Sequence, residues 1–412
     1  MEAILKDAII IGAGPAGLAA ALKLKEKGID DILILERENK EGGILRQCIH
    51  DGFGLVRFNE ALSGPEYANR FALLVKSANI EVETGATVIN LTNNKEVVAA
   101  TRNGLKKYKA KVVVLAMGCR ERTRGAISIP GTRPAGVFTA GVAQNYMNLK
   151  NIMVGKKVVI LGSGDIGLIM ARRLTLEGAK VLAVIEKLPY PSGLPRNIQQ
   201  CLNDYDIPLY LSHTVTNIKG KERLESVIVS KIDEKGQVVN GSETEYKCDT
   251  LILSVGLIPE NELSIKAGVE LDERTKGPIV DENLQTSVEG IYAAGNVLHV
   301  HDLVDFVSNE GEKLGESAAR YIRCQNEEKS KILVSGDKTI NNVVPQKISG
   351  EKDIEISLRV SKPSRDGAIE IRQGDKLIKV KKLKKLNPAE MIHITLKKEE
   401  IISKEHIKVV AV

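Results

Sequence analysis

Two short stretches of this chain pair residues that could do redox chemistry. Cys48 and His50 stand two apart in EGGILRQCIHDGFG, and His299 and His301 stand two apart in VLHVHD. A thiol of lowered pKa at Cys48 could attack or reduce an electron carrier. Imidazoles at His50 and His301 could manage protons, because histidine titrates near neutrality. The plainer expectations are an inert, buried thiol and structurally hydrogen-bonded rings. His299 and His301 also resemble a pair of metal ligands. No Cys or carboxylate at typical spacing joins them, so no metal is expected.

Two glycine signatures then say what these groups would serve. The first, DAIIIGAGPAGLAA, carries Gly12, Gly14 and Gly17, with Glu36 closing the next apolar run. The second, KKVVILGSGDIGLIMA, carries Gly162, Gly164 and Gly167, and Glu186 closes its next apolar run at the same separation. Gly12 and Gly162 permit the sharp strand-to-helix turn. Gly14 and Gly164 leave the backbone open to a pyrophosphate. Gly17 and Gly167 let helix and strand pack closely. The helix N-terminus then faces the phosphates, and each glutamate is expected to accept hydrogen bonds from an adenosine ribose. Two adenine dinucleotides should bind.

The elements around these signatures are those of an α/β chain. Its 412 residues suffice for two or three domains. An apolar strand precedes each turn and is short enough to be buried on both faces. Further strands are expected at KYKAKVVVLAMG, TLILSVGLIPEN and EGIYAAGN, and helices near 65–77 and 305–324. From about Ile332 the pattern alternates, as in DIEISLRV, and Asp366-Gly367 and Gly374-Asp375 mark turns. A separate β domain of about 80 residues follows from this pattern, joined by a polar linker at 327–331.

Composition narrows the setting. The net charge is +6. Residues 331–412 carry 18 Lys plus Arg against 11 Asp plus Glu, and the rest carries 41 against 42. The basic tail has no Phe, Tyr or Trp to interleave with its lysines, which disfavours nucleic acid. The lysine run at 379–385 is expected to blunt a strand edge, with an acidic partner as the alternative. Cys48, Cys119, Cys201, Cys248 and Cys324 are scattered without CxxC or metal spacing, as suits reduced thiols. With no leader pattern and no membrane-length apolar run, a soluble cytoplasmic protein is expected.

The motif order GAGPAG, Glu36, LAMG, GSGDIG, SVGLIPEN and YAAGN resembles the two-dinucleotide-binding-domain flavoproteins, near thioredoxin reductase and the pyridine nucleotide–disulfide reductases. The resemblance spans about residues 5–325. It implies two Rossmann-like domains of the three-layer ββα type, the second inserted into the first. FAD would occupy 1–122 and 259–328, NAD(H) would occupy 123–258, and the small all-β domain would be 331–412. The FAD contacts implied are Gly12, Gly14, Pro15, Ala16, Gly17, Glu36 and Arg37 in the first unit. Gly43, Ile44, Leu45, Val88, Met117 and Gly118 would add to them. Gly295, Asn296, Asp305 and Phe306 would close the site, with the last helix aimed at the flavin pyrimidine. Asn296 stands where the family has an Asp on the ribityl chain. The nicotinamide dinucleotide contacts implied are Gly162, Gly164, Asp165, Ile166, Gly167, Glu186, Lys187 and Gly256. Glu186 favours NADH, because a carboxylate repels a 2′-phosphate.

GGILRQCIHDGFG, GCRERTRG and AGNVLHVHDLVDFVSNEGE look like a narrower branch: FAD/NAD subunits of heteromeric amine, amino-acid or glycerol 3-phosphate dehydrogenases. The resemblance implies hydride exchange between nicotinamide and flavin, beside an iron–sulfur protein and a second dehydrogenase subunit. Self-association is left open. Dithiol reduction is disfavoured by the lack of a cysteine pair. The alternatives are a self-sufficient NADH oxidase acting on oxygen, a quinone or another small acceptor, and a flavin-binding scaffold that recruits a partner. Arg120 and Arg122 pose a further choice between surface ion pairs and an interdomain link.

Overall fold

In the computed structural model, which describes residues 2–324 and 332–412, both glycine signatures fold as β–turn–α–β units. The first is β1 (Ile4–Ile11), α1 (Pro15–Glu26) and β2 (Ile32–Glu36). The second is β3 (Lys157–Leu161), α2 (Asp165–Leu176) and β4 (Lys180–Ile185). Toward their C-terminal ends these strands are buried runs of Ile, Val, Leu and Ala, the pattern parallel strands need beneath helices.

The chain divides into two compact units, one of 1–119 with 259–412 and one of 120–258. In the first, a seven-stranded sheet runs Glu81–Thr84, β2, β1, Gly104–Leu115, Glu96–Thr101 and Thr87–Leu91, with Ile291–Ala293 beside Gly104–Leu115. β1 lies parallel to β2 and to Gly104–Leu115, so Ile9 is flanked by Leu33 and Val113. The last long helix, α3 (Val304–Ile322), crosses α1 where Gly311 and Gly315 meet Ala16 and Ala20. A Cβ at Gly311 would fall 2.4 Å from the Ala16 carbonyl oxygen, so the two backbones approach closely there.

The second unit has a five-stranded parallel sheet, Val137–Thr139, Thr250–Leu253, β3, β4 and Leu209–Tyr210. An antiparallel three-stranded sheet, His213–Gly220, Leu224–Lys231 and Thr244–Lys247, accompanies it. No helix among the described residues is long and apolar enough to cross a membrane.

Residues 332–412 form two sheets around a core of their own, including Ile356, Leu358, Ile369, Ile371 and Val409. Pairing is antiparallel except where Ile332–Gly336 runs parallel to Ile407–Ala411. The lysine-rich strand β5 (Lys376–Leu386) is a sheet edge. This β region, with a core of its own, is the strand-rich C-terminal domain that alternation suggested, and it belongs to the first compact unit. Polar side chains bind it there. Gln346 Oε1 accepts the Val280 N–H at 3.0 Å, Glu282 accepts that of Ser349 at 2.9 Å, and Arg274 donates to the Ile340 carbonyl at 2.6 Å. The expected linker at 327–331 lies outside the described residues.

Candidate dinucleotide sites and a buried His–Glu–His cluster

The first glycine turn is built as its residue types require. Gly12 has φ +107°, and a Cβ there would sit 2.4 Å from the Ala116 carbonyl oxygen. A Cβ on Gly17 would fall 2.0 Å from the Gly12 oxygen. Around Gly14, by contrast, a Cβ would meet nothing within 4 Å. The turn is thus tight beneath and open above, at the N-terminus of α1 where Pro15 starts the helix. Such an opening at a helix N-terminus fits a pyrophosphate, and the residues present fit FAD. Gly42 donates its N–H to the Ala13 carbonyl at 2.8 Å, which lays the Gly43–Gln47 turn beside this opening. Leu45 is buried there, whereas Ile44 is 60% exposed.

Glu36 ends β2 and is buried. Its two oxygens accept the Ala13 N–H at 2.7 Å and the Glu38 N–H at 2.8 Å. A carboxylate has about four lone-pair sites, so two remain for ribose hydroxyls. Spacing alone assigns Glu36 the ligand and does not reveal that it also holds the turn. Arg37 is exposed beside it, and Val88 pairs with Ala99 and packs on the core. Met117 and Gly118 follow the strand Gly104–Leu115, with Gly118 at φ +70°.

The second unit repeats the plan with one difference. Gly162 takes φ +101°, and Gly164 again is roomy, its nearest neighbour the Ser254 hydroxyl at 3.7 Å. Glu186 is buried and more heavily engaged than Glu36. Its Oε2 accepts the Ser163 N–H at 3.0 Å, the Ser163 hydroxyl at 2.5 Å and the Ser192 hydroxyl at 2.9 Å. Its Oε1 accepts the Leu188 N–H at 2.8 Å. Asp165, first in α2, is turned aside by Leu194 N–H and Asn197 Nδ2, at 2.8 and 2.6 Å, so its charge is engaged away from the open glycine. Gly167 packs under the turn and Ile166 packs on the unit's core, while Lys187 is exposed. Gly256 sits at φ +99° with its carbonyl accepting the Arg122 N–H at 3.0 Å.

The residues singled out for redox chemistry part company. Burial pushes the Cys48 thiol up to about 12, away from the low-pKa thiolate that redox chemistry at this residue would use. His50 is half-exposed, its ring tilted 4.9 Å from that of Phe53. His301 instead lies in a closed cluster with His299 and Glu310. His299 Nε2 is 2.8 Å from Glu310 Oε1, and His301 Nε2 is 3.6 Å from the same oxygen. Glu310 Oε2 accepts the Gly295 N–H at 2.5 Å. Burial, then the neighbouring His301, lowers the His299 pKa. Burial works to raise that of Glu310, but the two histidines outweigh it and hold the carboxyl well below its ordinary range.

Glu310 was missed because it lies within α3, nine residues past His301, and only the path of the chain into that helix returns it to the two rings. Its one sequence signal is an acidic residue bordering the stripe Gly311, Leu314, Gly315 and Ala318, which faces the core. Asn296 sits beside this cluster. Its Oδ1 accepts the His301 N–H at 3.0 Å and its Nδ2 lies 3.7 Å from Cys119 Sγ, so it braces the loop that carries the rings. Asp305 is buried, and its Oδ2 accepts the Val56 N–H at 3.2 Å. Phe306 does not present its ring solely to a cofactor, because that ring lies 4.3 Å from the ring of His393 in the β region. Asp302 binds the same region, accepting from Arg359 at 3.3 Å and from the Met391 N–H at 3.2 Å.

The model of the pyridine nucleotide-disulphide oxidoreductase family matches residues 6–314, and the chain belongs to that family. It is accordingly an oxidoreductase of a family that uses FAD and a pyridine nucleotide. It is 27% identical over 312 residues to the NAD(P)H sulfur oxidoreductase (CoA-dependent) of Pyrococcus abyssi, covering 73% of this chain and 64% of that protein. It is 26% identical over 316 residues to an opine oxidase subunit of Agrobacterium tumefaciens, covering 70% of this chain and 61% of that one. The chain therefore spans less than two thirds of either relative. The crystal structure of T. acidophilum thioredoxin reductase superposes with a TM-score of 0.64 at 25% identity, over 76% of this chain and 98% of that one.

Proposed function

We propose that this chain passes reducing equivalents between NAD(H) and FAD as the electron-transfer subunit of a heteromeric dehydrogenase. Its substrate would be an amino acid, an amine or glycerol 3-phosphate, oxidised on a partner protein. FAD, when bound, supplies a ring that exchanges hydride with a nicotinamide. The chain's own residues bind and orient. The α1 N-terminus and open Gly14 take the pyrophosphate, Glu36 takes a ribose while fixing Ala13, and Gly295 is held by Glu310. In the second unit α2 and Gly164 repeat this for the nicotinamide dinucleotide. The buried carboxylate of Glu186 supports NADH over NADPH, since a 2′-phosphate would meet a negative charge.

The observation that carries this reading is Cys48. Thiol chemistry, whether by a dithiol or by a single cysteine, needs a thiolate beside the flavin. Here the chain has no CxxC and the Cys48 thiol is pushed up to about 12. Both features favour another route for the electrons. Likeness to a protein named as a subunit of opine oxidase supports a partner as that route.

The test is capture of the tagged full chain from its host. Co-purification of a second flavoprotein or an iron–sulfur protein that brings substrate-dependent NAD reduction is the expected result. A chain recovered alone, whose reduced flavin is reoxidised by air within seconds, overturns the subunit reading in favour of an NADH oxidase.

A further inference from the structure

His299 and His301, on the loop after Gly295–Val297, and Glu310, on α3, converge in a largely buried cluster. The side chains of His299, His301 and Glu310 are 0%, 3% and 12% exposed. The expectation of no metal rested on the lack of a Cys or carboxylate at typical metal-ligand spacing from the two histidines. The fold supplies one, because α3 returns Glu310 to the loop that carries them.

We propose that these three side chains bind one divalent metal ion of the zinc or ferrous class. Two imidazoles and one carboxylate are the donor set those ions take. The three candidate ligand atoms lie within 4.8 Å of one another. In a tetrahedral site with bonds of about 2.1 Å, neighbouring ligand atoms stand roughly 3.4 Å apart. The observed separations from Glu310 Oε1, 2.8 Å to His299 Nε2 and 3.6 Å to His301 Nε2, straddle that value. Shifts of a few tenths of an ångström would complete three corners.

A hydrogen-bonded cluster accounts for the geometry less well. One contact is good, but 3.6 Å between His301 Nε2 and Glu310 Oε1 is long for a hydrogen bond. An ion on Nε2 would satisfy the under-used ring of His301. Its Nδ1–H, and that of His299, would then turn to ordered water. The supporting contacts are in place. The Gly295 N–H fixes the free oxygen of Glu310, and Asn296 Oδ1 fixes the backbone of His301. A solvent molecule takes the fourth corner. The ion would rivet the Gly295–Asn296 turn to α3, independently of what the flavin exchanges electrons with.

The experiment is elemental analysis of the flavin-loaded full chain after dialysis against metal-free buffer. About one zinc or iron per chain is expected, falling at least about tenfold in His301→Asn and Glu310→Gln. Where the protein is recovered without metal, Co²⁺ is added. Tetrahedral ligand-field bands beyond the flavin absorption, absent in both variants, are the expected result. Should a variant fail to fold, X-ray absorption at the metal edge of the unmodified chain decides. A first shell of nitrogen and oxygen with two imidazoles supports the site, and a shell containing sulfur or oxygen alone overturns it. No stoichiometric ion and no Co²⁺ bands would mean hydrogen bonding only, and the proposal would be wrong.

Discussion

Glu36 Oε2 holds the backbone N–H of Ala13 at 2.7 Å, inside the first glycine turn. The second turn repeats the bond between Glu186 and Ser163 at 3.0 Å. Each closing carboxylate therefore braces the glycine turn before it, in addition to the ribose role proposed for it. Glu36→Ala should cost about 1–3 kcal/mol by leaving a buried N–H unpaired, and should shed FAD during gel filtration. A variant that keeps both its melting temperature and its flavin would disprove the double role.

Glu186→Gln should act on the second site alone. The flavin stays bound, KM for NADH rises about tenfold, and the preference over NADPH shrinks as the repelling charge is lost. Steady-state kinetics with both nucleotides reads this directly. An unchanged NADH/NADPH ratio would remove Glu186 from nucleotide selection.

Gly14 and Gly17 differ in what a methyl group would meet, and the difference separates binding from folding. Gly17→Ala pushes a Cβ to 2.0 Å from a backbone oxygen and should lower stability by about 1–3 kcal/mol or more. Gly14→Ala meets nothing in the protein, so the apoprotein should melt as before while FAD affinity falls by at least about tenfold. Equal effects on folding from both changes would contradict the open cradle.

Cys48 gives a pH prediction. The thiol titrates at about 12 when folded and near its ordinary 9.0 when unfolded. The stability this burial contributes is complete below pH 9 and is lost as pH rises toward 12, because the unfolded chain then releases a proton that the folded one keeps. Exposed Cys324 should be alkylated by iodoacetamide at pH 8 well before Cys48. Cys48→Ser should leave turnover within about twofold. Loss of turnover in that variant would restore a thiol mechanism.

Arg359 ties the β region to the cofactor loop. It reaches Asp302 at 3.3 Å, and each side chain of the pair is 11% exposed. Arg359→Ala should cost about 3 kcal/mol, since it strands the Asp302 carboxylate, and it should raise the fluorescence of released FAD. A change confined to the melting of the β region, with flavin retention unaltered, would show that the contact is structural only.

Much of this architecture was legible because its determinants are local. A glycine turn between two buried apolar runs fixes its own geometry, so both βαβ units and their closing glutamates could be read from spacing. Helix α3 and the alternation after Ile332 were legible for the same reason. What could not be read depends on distant side chains. Glu310 joins His299 and His301 only through the path of α3. Gln346, Glu282, Arg274 and Arg359 seat the β region by polar contacts that leave no periodic trace. The thiol of Cys48 is set by burial, which its neighbours in sequence do not reveal.

The central claim is that a pyridine nucleotide bound by the second unit reduces FAD bound by the first. Anaerobic addition of NADH to the purified, flavin-loaded chain tests it most directly, with absorbance followed near the long-wavelength flavin band. One equivalent of NADH is expected to bleach the flavin, and Glu186→Gln is expected to need more nucleotide to reach the same end point. A flavin that stays yellow under excess NADH and excess NADPH alike would contradict it.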